Sequence, residues 1–105
     1  MLARNAYFAL GQLVWQPDNR FRGVVVDVDP SFNGSESMYQ QMDENRPDKD
    51  QPWYTVLVDH SEQAVYVAEE YLEPDPSDDP VTNPATEQFL GELQGGRYTV
   101  HQTLN

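Results

Sequence analysis

Three strand-length runs dense in valine and aromatic residues constrain this chain more than anything else in it. They are "FRGVVVDV" from Phe21, "QPWYTVLVD" from Gln51 and "AVYVA" from Ala64. Such residues suit a pleated, half-buried surface, and side chains two apart share a face. The first run thus places Val24, Val26 and Val28 together. The second sets Tyr54, Val56 and Val58 on one side and Trp53, Thr55 and Leu57 on the other. The third opposes Val65 and Val67 to Tyr66. A further strand is predicted around Gln12 to Trp15, after Gly11, and "DHSEQ" is a polar connection of hairpin length. Short strands, tight turns and no alternating long helices predict a mainly β domain, a small antiparallel barrel or sandwich.

The run at Gln51 sets a packing problem. It is apolar on both faces, whereas a small antiparallel sheet ordinarily leaves one face to water. The outer side of Trp53 and Leu57 must be covered by the chain's own C-terminal helix, by a second copy, or by an external partner. The C-terminal segment suits the task. "EPDPSDDPVTNP" is too rich in proline and aspartate for regular structure and reads as an extended linker. "NPATEQFLGELQGG" then carries the marks of one helix: Asn83 as N-cap, Pro84 at the first position and Gly95-Gly96 past the end, with Phe89, Leu90 and Leu93 on one face. The expected organisation is a barrel domain over residues 7–74, with a long loop at 30–52, and an acidic, Pro-rich linker and helical tail over 75–105. Within the loop, Met38, Tyr39 and Met42 recur at one-turn spacing and predict a short helix; "DENRPDKDQ" lacks an apolar anchor and reads as mobile.

Charge narrows the function. With 6 basic and 18 acidic side chains the formal charge is −12 over 105 residues, which repels phosphate backbones and steers toward basic partners. No cysteine is present, so disulfides and thiolate metal sites are excluded. The opening residues hold no apolar run of signal or membrane-span length, so residence is expected in the cytoplasm, without a membrane. Catalytic groups are few. His60 reads as a solvent-facing turn residue and His101 lies in the tail; Asp27 and Asp29 share a strand face but read as a strand end opening a turn at Asp29-Pro30. No phosphate-cradling glycine loop or nucleophile elbow is found. The chain is expected to be no enzyme, with no cofactor and no metal. For nucleic acid, "DNRFRG" offers Arg20 and Arg22 for phosphate or guanine, with Phe21 between them to stack on a base. The competing reading pairs Arg22 with a nearby carboxylate on the sheet.

"FRGVVVDVDPSF", "QPWYTVLVD" and "VYVAEEYLEP", in that order and with a long loop between the first two, resemble the heat-shock HspQ family, also described as hemimethylated-DNA-binding and YccV-like. The likeness spans about Gly11 to Pro74. Matching positions are Arg22 and Gly23, Pro52 to Tyr54, Val56 to Val58, and Tyr66 to Glu69 with Leu72. It implies an SH3-like barrel and two activities: binding hemimethylated DNA at the replication origin, and modulating proteolysis as a specificity factor and substrate of the Lon protease. Thr55 stands where the family carries a histidine, Tyr71 where it carries an asparagine, and Trp15-Gln16 where many members carry a basic pair. Each change removes a polar or cationic group that a DNA contact could use.

The expectation is therefore a heat-shock, HspQ-like binding protein that modulates proteolysis through protein partners, contacted by Trp53, Tyr54 and Tyr66. The alternative is hemimethylated DNA held by Arg20, Phe21 and Arg22. Self-association into a homo-oligomer is a third way to cover the apolar faces.

Overall fold

The computed structural model describes residues 6–42 and 46–100. His101 lies outside the described residues, as does part of the charged stretch read as mobile. Four strands form where the valine and aromatic runs place them: β1 (Leu13–Gln16), β2 (Phe21–Asp29), β3 (Trp53–Val58) and β4 (Ala64–Ala68). A 3-10 turn (Glu69–Tyr71) leads into the two-residue β5 (Glu73–Pro74). All pairings are antiparallel, in the order β4-β3-β2-β1-β5. The fold is mainly β, as expected, but the sheet does not close into a barrel: β4 and β5 are its two edges and do not pair with each other. The chain leaves β4 through the 3-10 turn, and Pro74 limits β5 to a short rung against β1.

β2 departs from simple alternation. Val25 pairs with Val56 but Asp27 pairs with Thr55, so a bulge at Val26 inserts one extra residue. Val24 and Val26 face one side of the sheet, while Val28 joins Val25 on the other, against the uninterrupted period that grouped Val24, Val26 and Val28.

The central strands are apolar on both faces because both faces are covered. One face buries Phe8, Val14, Val25, Tyr54, Val56 and Leu72. The opposite face buries Leu13, Val24 and Leu57 beneath Val81, Leu90 and Tyr98. The cover thus comes from the C-terminal segment, but not as the expected helix. Helix α2 (Thr86–Phe89) is a single turn, followed by a hairpin of β6 (Leu90–Gln94) and β7 (Arg97–Val100). Gly95 and Gly96 have φ of 59° and 79°, so they form the two-residue hairpin turn that needs positive φ twice, not the end of a helix. Gly91 inside the segment also weakens a helix relative to alanine. The hairpin is tied down at Gly11: the Tyr98 amide donates to the Gly11 carbonyl (2.8 Å) and the Gly11 amide to that of Val25 (2.7 Å). Gly11 has φ 86°, and a Cβ there would collide with the Tyr98 carbonyl oxygen.

The long loop carries the predicted short helix, α1 (Glu36–Gln40), with the Ser35 hydroxyl accepting from the Met38 amide as N-cap. Phe32 brings the loop onto Trp53, their ring centroids 4.8 Å apart edge to face. The two outward residues of β3 are therefore covered by different segments, Trp53 by the loop and Leu57 by the hairpin.

Leu57 is 2% exposed and stands between sheet and hairpin. Leu57→Ala is expected to cost about 2–5 kcal/mol of unfolding free energy, read from denaturant titration. The same truncation at the more exposed Leu93 should cost less than half as much.

Candidate functional site

The β1–β2 connection is the turn Pro17 to Arg20, with Arg20 at φ 57°. Arg20, Phe21 and Arg22, the contacts expected for DNA, go to different places. The Arg20 side chain is exposed and makes no hydrogen bond or ion pair among the described residues. Phe21 is half-buried against the first core cluster. Arg22, opposite Trp15 on β1, turns inward to a strap formed by residues 75–82.

The strap has prolines at 76 and 80 and no regular structure, so its carbonyls need donors from elsewhere. Arg22 supplies them. Its Nε donates to Asp75 Oδ2 (3.0 Å), Nη1 to Asp59 Oδ2 (2.9 Å) and to the Pro80 carbonyl (3.1 Å), and Nη2 to the Asp79 carbonyl (2.6 Å). Burial alone would lower the guanidinium pKa, but the bonds to Asp59 and Asp75 outweigh it and the net shift is upward. Asp59 completes the knot, its Oδ1 accepting from the Thr82 amide (2.6 Å). Burial favours the neutral acid there; the Thr82 amide and the Arg22 pair overcome it and hold Asp59 below the ordinary carboxylate range. The competing reading of Arg22, a partner for carboxylates on the sheet surface, describes its position.

The aromatics expected at a protein contact also divide. Tyr54 is fully buried; its hydroxyl accepts from the Phe8 amide (3.1 Å) and donates to Glu69 Oε2 (2.7 Å), which also takes the Tyr7 amide. Burial, reinforced by Glu69, pushes the Tyr54 hydroxyl far up, so it stays protonated. Trp53, 1% exposed, stacks on Tyr66 at 5.3 Å, and its Nε1–H finds no hydrogen-bond acceptor among the described residues. Tyr66 is half-buried; its hydroxyl donates to Asp29 Oδ2 (2.6 Å) and accepts from the Asn33 amide (3.0 Å). Burial and then the Asp29 bond push the Tyr66 hydroxyl up to about 12. Of the three, Tyr66 alone presents part of its ring to the surface.

Beside Tyr66 lies a groove of about 450 Å³, between β4 and the β1–β2 turn, where the sheet stays open. Phe21, Met42, Trp53, Val65 and Val67 give it apolar walls, and Asp18 and Arg46 also border it. Sequence reading missed it, since no single segment marks a gap between strands. Its nearest sign was "AVYVA", a strand with no charge at either face. His60 is exposed in the β3–β4 turn at φ 58°, and the side chains of Asp27 and Asp29 go to the Val28 amide and the Tyr66 hydroxyl respectively. Among the described residues no group of three or more metal-ligating side chains converges, and no helix is long and apolar enough to cross a membrane.

Removing Arg22 takes the counter-charge from two largely buried carboxylates and a donor from each of two strap carbonyls. Arg22→Ala should cost about 2–4 kcal/mol, and Arg22→Lys should recover under half, because one ammonium cannot reach four acceptors in a fork. The depressed Asp59 pKa makes the linkage explicit. Its stabilisation is complete above the unfolded carboxylate value of about 3.9 and is lost as pH falls through the lower folded value. Unfolding free energy should thus hold from neutrality to about pH 5 and decline below about pH 4, more shallowly in Asp59→Asn. At the other end, the raised Tyr66 pKa gives stability below about pH 10 that is lost toward about 12.

A family model described as hemimethylated DNA-binding protein YccV-like matches residues 6–97. The match takes in the sheet, the Arg22 strap, the groove and most of the C-terminal hairpin. With that span, the chain belongs to the YccV-like family.

Proposed function

We propose that this chain is a non-enzymatic, cytoplasmic heat-shock binding protein of the HspQ type that modulates proteolysis, engaging the Lon protease as a specificity factor and as a substrate. The observation that carries this reading is the engagement of Arg22. The arginine best matched to the family pattern spends its donors on Asp59, Asp75 and two strap carbonyls. What the surface then offers is a strongly acidic exterior and a half-apolar groove at an open sheet edge, features that suit a protein partner better than a phosphate backbone. Tyr66 is the contact residue; Trp53 and Tyr54 shape the surface from beneath.

Hemimethylated DNA is the second reading. It is supported by the description of the matching family and by Arg20, whose exposed guanidinium lies beside Trp15 and Phe21 in an open dent. In this reading Arg20 and Phe21 touch the duplex, and Arg22 holds the strap that frames them.

Degradation of a panel of Lon substrates, timed with and without the protein, tests the first reading. A change in rate for some substrates and not others is expected; unchanged rates throughout would contradict it. Retention of a hemimethylated duplex at moderate salt, lost in Arg20→Ala and falling steeply with added salt, would favour the second.

A further inference from the structure

The two edges of the sheet differ. β5 is blunted in a familiar way, being two residues long and ending in Pro74. β4 is not. Its five residues, Ala64 to Ala68, contain no charge and no proline, and among the described residues it pairs only with β3. The register shows which backbone groups it leaves open. Val58 N–H donates to the Gln63 carbonyl and Glu69 N–H to the Pro52 carbonyl, which fixes those two pairs as hydrogen-bonded. Hydrogen-bonded and non-hydrogen-bonded pairs alternate along an antiparallel ladder. Val65 and Val67, opposite Val56 and Tyr54, therefore spend their backbone groups on β3. Ala64, Tyr66 and Ala68 turn theirs outward, to the groove side. Ala68 is buried and marks the closed end, so Ala64 and Tyr66 form the accessible docking points.

The walls specify what fits. On the face of Val65 and Val67 the groove continues to Phe21 and is apolar. On the face of Tyr66, Asp29 holds the Tyr66 hydroxyl, and Asp27 also acts on that hydroxyl electrostatically. Asp18 and Arg46 on the groove wall offset each other, while Glu62 before the strand and Glu70 after it are exposed carboxylates. Trp53, which borders the same groove, carries the buried indole donor that has no acceptor among the described residues.

We infer that the open edge of β4 binds an extended peptide segment of a partner protein, added as a further strand, with apolar side chains on one face alternating with Lys or Arg on the other. The apolar residues lie against Val65, Val67 and Phe21, and the basic ones pass over Tyr66 toward Glu62 and Glu70, the exposed carboxylates that flank the strand. The incoming backbone bonds to Ala64 and Tyr66, and main-chain bonds give affinity while alternate side chains give selection. This inference rests on the protein-partner reading above and names the chemistry of the partner at that site.

The test uses the full chain, ¹⁵N-labelled, and the heptapeptide Lys-Val-Lys-Phe-Lys-Val-Lys as probe. In dilute protein the Tyr66 amide should exchange with solvent rapidly while those of Val65 and Val67 are protected. Titration should shift the amides of residues 64–68 and Phe21, and slow exchange at Tyr66. The counterpart with glutamate for lysine should bind at least about tenfold more weakly, a difference of one ion pair or charged hydrogen bond. In the antiparallel pairing that the rest of the sheet uses, N-methylation at the lysine positions should abolish binding, while N-methylation at the Val and Phe positions, whose N–H groups point away, should leave it intact. Ala64→Pro keeps the β3 ladder, because the Ala64 pair with Leu57 is a non-hydrogen-bonded one, yet it removes an outward donor. It should leave the melting temperature unchanged and weaken the peptide by about five- to tenfold, as loss of one backbone bond implies. No response up to about 1 mM probe, or equal binding of both N-methylated forms, would overturn the inference. So would Tyr66 protection that grows with protein concentration alone, which would place a second copy on the edge. Shifts centred on the hairpin or the strap would remove the edge as the site yet keep the protein-partner reading, whereas unchanged Lon kinetics beside a bound probe would do the reverse.

Discussion

The structure depends on covering one strand from both sides. β3 sends Tyr54 and Val56 to one face and Trp53 and Leu57 to the other, and all four are essentially out of water. Each such side chain contributes about 1.5–3 kcal/mol when fully buried, so neither face can be left bare without a large loss of stability. The remainder of the chain follows from that demand. The N-terminal segment with Phe8 and the 3-10 turn with Leu72 close one face; the loop at Phe32 and the hairpin with Leu90 and Tyr98 close the other.

Polar anchors fix the covers in place. Arg22 and Asp59 hold the strap that leads to the hairpin. Asn83, buried at the strap's end, donates from Nδ2 to the Val58 and Gln63 carbonyls and accepts the Ala85 amide at Oδ1. Tyr54 and Glu69 hold the N-terminal segment, and Tyr66 with Asp29 holds the start of the long loop. Residues that as isolated letters suggest interaction sites are thus mostly joints between the sheet and its covers. The groove beside β4 is the place where covering stops, which is why partner binding is assigned there.

Much of the fold was legible in the sequence because it rests on local periodicity. The four main strands came from valine and aromatic alternation, and α1 from the one-turn spacing of Met42 with Met38 and Tyr39. The need for a cover over Leu57 came from the apolar count on both faces of one strand. What was not legible depended on competition between signals. Asn83, Pro84 and Gly95-Gly96 satisfy the rules for a helix, but Gly95-Gly96 equally satisfies a two-residue hairpin turn, and docking of Leu90 and Tyr98 on the sheet decided between them. The bulge at Val26 has no sequence mark and moved Val28 across the sheet. A barrel was one of the two architectures that the strand pattern predicted and the one that the resemblance implied, yet the short, proline-ended β5 leaves the edges apart. At the candidate site the residue types were visible but their engagement was not: whether Arg22 faces solvent or the strap is settled by carboxylates 37 and 53 positions away.

Residue-resolved thermal unfolding by NMR tests the central claim, that sheet and covers stand or fall together. Amides of β3, such as Val56 and Leu57, and of the hairpin, such as Leu93 and Tyr98, should lose their native signals at one shared midpoint, as a single cooperative unit does. A hairpin that melts well below a β3 still fully folded would contradict the account.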